Sequence, residues 1–225
     1  MVHLFKEPLI EKVLSYDVIL VPMGIHNAFS TGFCYEVGLN FPSVKEKEKE
    51  GSPYGDRRKY GTLFPAKVGK TTFCLCYIHN TGFKKDKDGR FLNLDALKTC
   101  LFSVRDRFGG RKIASPVLGA EQCDGNWDRG EIISLFESIF KEVDIDLYDY
   151  EQRDYQLECF KEIATLHDLS KRHEIKGEEY DRRRSEIEWR RRNGIFKPMP
   201  EGYRYQPRKY DYEKVIKVTK KDLEG

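Results

Sequence analysis

The stretch Lys112-Ile-Ala-Ser-Pro-Val-Leu-Gly-Ala-Glu-Gln-Cys-Asp-Gly-Asn-Trp127 decides how the chain is read. It opens on a short apolar run, Ile113 to Leu118, of the kind that forms a buried strand, and then breaks into a loop bounded by Gly119 and Gly125. Behind the loop, Ile132, Leu135, Phe136, Ile139 and Phe140 recur at helical spacing, and Asp128 stands where it can cap that helix. Strand, glycine loop and helix in this order aim backbone N–H groups and the positive end of a helix at an anion, most often a phosphate. The same two glycines also suit a plain tight turn, and the stretch alone leaves both readings open.

Outward from this unit the pattern repeats. Tyr16-Asp-Val-Ile-Leu-Val21 reads as a buried strand ended by Pro22. A loop to about Thr31 and a helix from Gly32, stopped before Pro42, follow it. Residues 2–6 suggest an edge strand, and residues 43–60 a surface helix end and a mobile, charged loop. Residues 62–67 and 71–78 predict a hairpin turning at Gly69, and Leu92 to Phe108 a helix. Asp144 to Tyr150 predicts a last strand. Alternating strands and helices imply an α/β fold: a three-layer α/β/α domain with a mixed sheet over residues 1–150. In such folds ligands sit beyond the carboxyl ends of the strands, so both glycine loops are expected to face one site.

Composition narrows the class. The chain has 225 residues and a net charge of +3. Its mean hydropathy of -0.66 fits a soluble protein, and no apolar run approaches the ~20 residues that span a bilayer. With no signal-peptide pattern at the N-terminus, the six scattered cysteines are expected to be reduced and the protein cytoplasmic. Cys74 and Cys76 alternate within an apolar run, which puts both on one strand face. They have no second Cys/His pair at metal spacing, so neither a metal nor a cofactor is expected.

From residue 151 onward there are 19 Lys+Arg against 16 Asp+Glu, which leaves 21 of each in residues 1–150. This extension predicts a basic helical hairpin, Tyr155–Ser170 and a second helix to about Asn193. A Pro- and Tyr-rich arm follows, lying on the domain or on a second subunit and ending in a strand-like segment, Lys214 to Thr219. Arg182–Arg184 and Arg190–Arg192, with Trp189 between them, suit a phosphate-rich partner such as nucleic acid. Glu178, Glu179, Glu186 and Glu188 equally suit i,i+4 pairing on a solvated helix. Self-association or a protein partner through 151–225 is the other expectation.

The order of elements and the two loops resemble a macro domain, the α/β module that binds ADP-ribose. The likeness is to its branch of ADP-ribose 1''-phosphate phosphatases and ADP-ribosyl-glutamate hydrolases. There the first loop and helix read Met-Gly-Ser-Gly-Ile-Ala and end at an aromatic-Pro pair. Here Phe29-Ser30-Thr31-Gly32-Phe33-Cys34 ends at Phe41-Pro42. The second loop reads Gly-x-Gly-Leu-Ala-Gly-Gly-Asp-Trp in that branch and Gly119-Ala-Glu-Gln-Cys-Asp-Gly-Asn-Trp127 here.

The resemblance covers residues 2–150 and implies an ADP-ribose-type ligand. The distal ribose would lie between the backbones of Ser30, Thr31, Gly32 and Phe33 and those of Cys123, Asp124, Gly125 and Asn126. The diphosphate would rest on N–H groups of the second loop from Ala120 and Glu121 to Gly125, with Gly119 also lining the ligand, and adenine would stack on Tyr150. Gly24 stands where the family carries Asn or Ser, with His26 or Asn27 as replacements, and Glu121 stands where it carries glycine. For hydrolysis of a 1'' substituent, the resemblance implies Asp124 as general acid or base, with His79 near the position of the family's nucleophilic lysine. A turn-stabilising Asp124 and a packed His79 are the alternative reading, which leaves a non-catalytic binder or an interaction module.

Overall fold

The computed structural model describes residues 1–26, 29, 32–79, 92–119, 127–149, 155–175 and 177–206, with side chains of the fifth helix from 159 onward. The chain divides into two compact units, Met1–Gln152 and Arg153–Gly225.

The first unit is built on a six-stranded mixed sheet of order β1-β6-β5-β2-β4-β3. Its strands are β1 (Val2–Phe5), β2 (Val18–Gly24), β3 (Leu63–Val68), β4 (Thr71–His79), β5 (Ile113–Pro116) and β6 (Ile145–Tyr148). Only the β3–β4 pair is antiparallel, joined at Gly69, whose φ of 58° is the left-handed value such a turn requires. The other neighbours run parallel, so their carboxyl ends share one rim.

Helices cover both faces: α1 (Gly32–Asn40) and α2 (Pro42–Gly51) on one, α3 (Leu94–Phe108) and α4 (Arg129–Ile139) on the other. Alternation along the strands feeds two cores. Val18, Leu20, Cys74, Cys76, Ile78, Ile113, Ile145 and Leu147 pack against α3 and α4. The intervening Ile19, Val21, Phe73, Leu75 and Tyr77 are buried on the opposite face, where Phe73 meets Phe41 at 4.8 Å between ring centroids. Cys74 and Cys76 thus share a face, and burial pushes the Cys74 thiol up to about 12. The expectation of a three-layer α/β/α domain holds.

One local expectation is corrected. The strand does not end at Pro22: β2 continues to Gly24, with Pro22 opposite Cys76. The ladder to β5 covers only Val18 and Ile19, which leaves a flank on which the missing N–H of Pro22 costs no bond. The helix end expected within residues 43–60 is the body of α2. Pro42 starts α2 at its first turn, and a 3₁₀ turn at Arg57–Lys59 is capped by Asp56.

The second unit contains α5 (Tyr155–Lys171) and α6 (Gly177–Asn193), packed through Cys159, Phe160, Ile163, Leu166 and Ile187. So small an apolar core is supplemented by arginine. Arg182 pairs with Glu186, Arg183 with Glu179, Arg190 with Glu162 of α5, and both Arg191 and Arg192 approach Glu188. Buried Arg184 donates to the Tyr180 hydroxyl and lies over the Tyr205 ring. The described part of the arm lies on α6 of its own unit. The Tyr205 N–H donates to Ser185 Oγ, and the Trp189 ring packs on Tyr203 while its indole N–H donates to the Lys197 carbonyl. Arginine forks and aromatic faces on α6 give the arm nearby partners. The strand-like segment at 214–219 lies outside the described residues.

Candidate functional site

The rim at the carboxyl ends of β2, β4, β5 and β6 brings the two strand–loop–helix units together. Gly24 ends β2 in register with His79, the last residue of β4, across a β-bulge after Met23. Among the described residues, a Cβ at Gly24 would meet only the His79 Cβ, at 3.8 Å, an ordinary contact distance. His79 forms an isolated antiparallel bridge with Leu92, and the Asn93 N–H donates to the Ile78 carbonyl at 2.8 Å. These bonds bring the start of α3 back to the end of β4.

Leu92 in turn fills the space beside Gly119. A Cβ on Gly119 would come within 2.5 Å of Leu92 Cδ1, and its φ of 84° is a left-handed value. Glycine is therefore required there on two counts. The Gly119 carbonyl accepts from the Trp127 N–H at 3.1 Å, which ties together the two ends of the second loop. Asp128 follows at once as the helix cap, its Oδ1 accepting from the Glu131 N–H at 3.0 Å. Arg129, in the first turn of α4, is ion-paired with Asp149 just past β6, and the Asp149 N–H donates to the Phe5 carbonyl. The helix end, the sheet rim and the edge strand are thereby one frame.

On the β2 side, Gly32 begins α1 at a φ of 59°. Phe33 is 3% exposed, so what it can offer a ligand is its backbone. Phe29 is buried over Gly38, where any Cβ would stand 2.9 Å from the Phe29 ring. His26 Nδ1 is buried with no hydrogen-bond partner among the described residues, and the His26 ring meets the exposed Tyr54 ring at 5.0 Å.

Of the residues singled out in the sequence, Gly24, His26, Gly32, Phe33, His79 and Gly119 are described and lie at these element ends. Asn27, Ser30, Thr31, Ala120, Glu121, Cys123, Asp124, Gly125, Asn126 and Tyr150 lie outside the described residues.

The sequence reading missed a buried polar cluster under the first loop. Glu48, 1% exposed, accepts from the Tyr77 hydroxyl at 2.7 Å and from Lys59 Nζ at 3.4 Å. Lys59 also donates to the carbonyls of Ile25 and Pro53, each at 3.1 Å, and sits 4.1 Å from the centre of the Tyr77 ring. Burial lowers the Lys59 ammonium from its usual value against the opposing pull of Glu48, and burial raises the Tyr77 phenol. Lys59 stands in an Arg-Arg-Lys run that reads as surface, and only its tertiary partners distinguish it.

Neither a family model nor a curated relative matches the chain. Solved structures do. A protein of unknown function from Bacteroides thetaiotaomicron aligns at a TM-score of 0.55 and 18% identity, over 66% of this chain and 97% of that one. The macrodomain of Thermus aquaticus DarG aligns at 0.53 and 13%, over 66% and 98%. Thermosipho africanus DarTG, solved in complex with ADP-ribose, aligns at 0.51 and 15%, over 65% of this chain but 41% of its own. At such identities the likeness is one of fold. The sheet whose rim carries Gly24, His79, Gly119 and Asp149 is the fold of a macrodomain.

Proposed function

We propose that the first unit binds an ADP-ribose-type nucleotide at the rim of its sheet. The observation that carries this reading is the build of the second loop. A glycine held left-handed at 119, a hydrogen bond from Trp127 closing the loop base, and a capped helix starting at Arg129 present the positive end of α4 beside the parallel strand ends. That arrangement suits an anion such as a diphosphate. Macrodomain neighbours, one solved with ADP-ribose, support the same ligand class. In this reading the diphosphate lies on the N–H groups from Ala120 through Gly125, and the distal ribose lies between the backbones around Gly32 and Asn126. Tyr150 carries the adenine. Beside Gly24, ligand takes the place of the family's Asn side chain.

Hydrolysis of a 1'' substituent is the further step of the proposal. His79 closes β4 beside Gly24, where a sugar C1'' would be directed, and Asp124 belongs to the second loop, whose interior lies outside the described residues. The two would activate water or protonate a leaving oxygen. The competing reading is a non-catalytic binder or an interaction module working through residues 151–225. On α6, Arg182–Arg184 and Arg190–Arg192 all have partners within their own unit, which favours a structural role over nucleic-acid binding.

Calorimetric titration with ADP-ribose tests the binding. Micromolar affinity is expected, and no heat at millimolar ligand refutes the proposal. Phosphate release from ADP-ribose 1''-phosphate, lost in both His79→Ala and Asp124→Ala, tests the chemistry.

A further inference from the structure

The Glu48–Lys59 pair lies below the rim and gathers five parts of the first unit. Glu48 comes from α2 and Lys59 from the 3₁₀ turn, and their partners are Tyr77 of β4, Ile25 at the exit of β2, and Pro53 in the segment between α2 and the turn. Both side chains are almost wholly removed from water. A charged pair in such a place repays its lost hydration poorly, and apolar residues of similar volume are often as stable. What apolar residues would not reproduce is the grip on a backbone carbonyl.

The Ile25 carbonyl accepts from Lys59 Nζ at 3.1 Å and from the Gly55 N–H at 2.9 Å, and Ile25 stands between Gly24 and His26. The Pro53 carbonyl accepts from the same ammonium, next to Tyr54, whose ring packs on His26. Tyr77 extends the cluster to Ser52, its hydroxyl 2.7 Å from Ser52 Oγ. One ammonium therefore ties the first residues of the first loop to the segment that flanks it.

We infer that Lys59, held by Glu48, is a positioning residue. It fixes the Gly24–His26 exit and its Tyr54 flank in the geometry that receives the sugar end of a nucleotide-sugar ligand. The ligand part of this inference rests on the proposed function, but the positioning part does not.

The test uses the full chain carrying Glu48→Met and Lys59→Met together. Its Tm is expected to stay within a few degrees of wild type, while amide exchange over residues 24–33 accelerates at least tenfold and exchange in β5 is unchanged. ADP-ribose is expected to bind at least tenfold more weakly. A merely structural pair would lower Tm and leave the exchange pattern of 24–33 like that of the wild type, and this result overturns the inference. Should the double variant not fold, Lys59→Gln makes the same comparison, since it removes the ammonium that holds the Ile25 and Pro53 carbonyls and leaves Glu48 its bond to Tyr77. If the wild type itself takes up no ADP-ribose, the proposed function falls, and the exchange arm still decides the role of Lys59.

Discussion

Gly119→Ala probes the junction on which the second loop depends. A Cβ at this position would stand 2.5 Å from Leu92 Cδ1, and Leu92 is 1% exposed, so it has little room to retreat. Holding a non-glycine residue at a φ of 84° costs about 1–2 kcal/mol. Pushing a methyl into a packed site costs about 1–3 kcal/mol more. The sum, roughly 2–5 kcal/mol, corresponds to a fall in Tm of roughly 5–15 °C for a unit of this size.

Thermal and urea denaturation of the variant would measure it, and a double-mutant cycle with Leu92→Ala would separate the two causes. Leu92→Ala alone costs about 2–5 kcal/mol as a cavity. On that background the clash is gone, so Gly119→Ala should cost only the backbone part. If Gly119→Ala melts within one degree of wild type, or costs the same with and without Leu92, the account of this junction is wrong.

Four further outcomes follow from the same geometry. Asp128→Ala removes the α4 cap and should cost about 1 kcal/mol in denaturant unfolding, with Asp128→Asn restoring most of it. Glu188→Ala strands the nearly buried guanidinium of Arg191 and should destabilise the second unit by about 3–5 kcal/mol, read as earlier loss of α-helical signal. Tyr54→Ala should weaken ADP-ribose binding several-fold in calorimetry and leave ADP binding unchanged, because Tyr54 stands beside His26 on the first-loop side of the rim.

Alkaline pH should destabilise the fold. Burial raises the Cys74 thiol and the Tyr16 and Tyr77 phenols above their usual values, and a hydrogen bond with Cys100 together with burial raises the Cys76 thiol, so the unfolded chain loses these protons first. Their contribution is whole below about pH 9 and is lost as pH rises further, at up to ~1.4 kcal/mol per pH unit for each group. Lys59, whose ammonium is lowered by burial, works in the opposite sense as pH approaches its usual value of 10.5. Urea midpoints between pH 8 and 11 would show the decline, and Tyr16→Phe should make it shallower.

The sheet was legible because its strands are short apolar runs whose alternating residues feed two cores, with glycine or proline between them. The hairpin at Gly69, the helix at Leu94–Phe108 and the Asp128 cap could each be read from a handful of neighbours. What escaped is what depends on distance along the chain. Arg129 finds Asp149 twenty residues away, and Lys59 finds Glu48 and Ile25 across two elements. Nothing near Lys59 in sequence separates it from Arg57 and Arg58, which stay exposed. Pro22 was misread for the same reason: whether a proline ends a strand depends on whether its neighbour on that side is paired, and a single segment does not carry that information. On α6 the i,i+4 pairing of arginine with glutamate was legible from spacing, whereas the bond from Arg190 to Glu162 of α5 and the stacking of Arg184 on Tyr205 were not.

The bond from Trp127 to Gly119 has a consequence for how the protein can change. With its two ends fastened to each other and to a capped helix, the second loop is a cassette plugged into a socket that the sheet supplies. Lengthening or recoding its interior would cost little, since loop-closure entropy grows by only ~0.6 kcal/mol for each doubling of length. The loop's sequence can therefore drift while the socket of Gly119, Leu92, Trp127 and Asp128 stays fixed. Loops grafted between residues 119 and 127 should fold with the host.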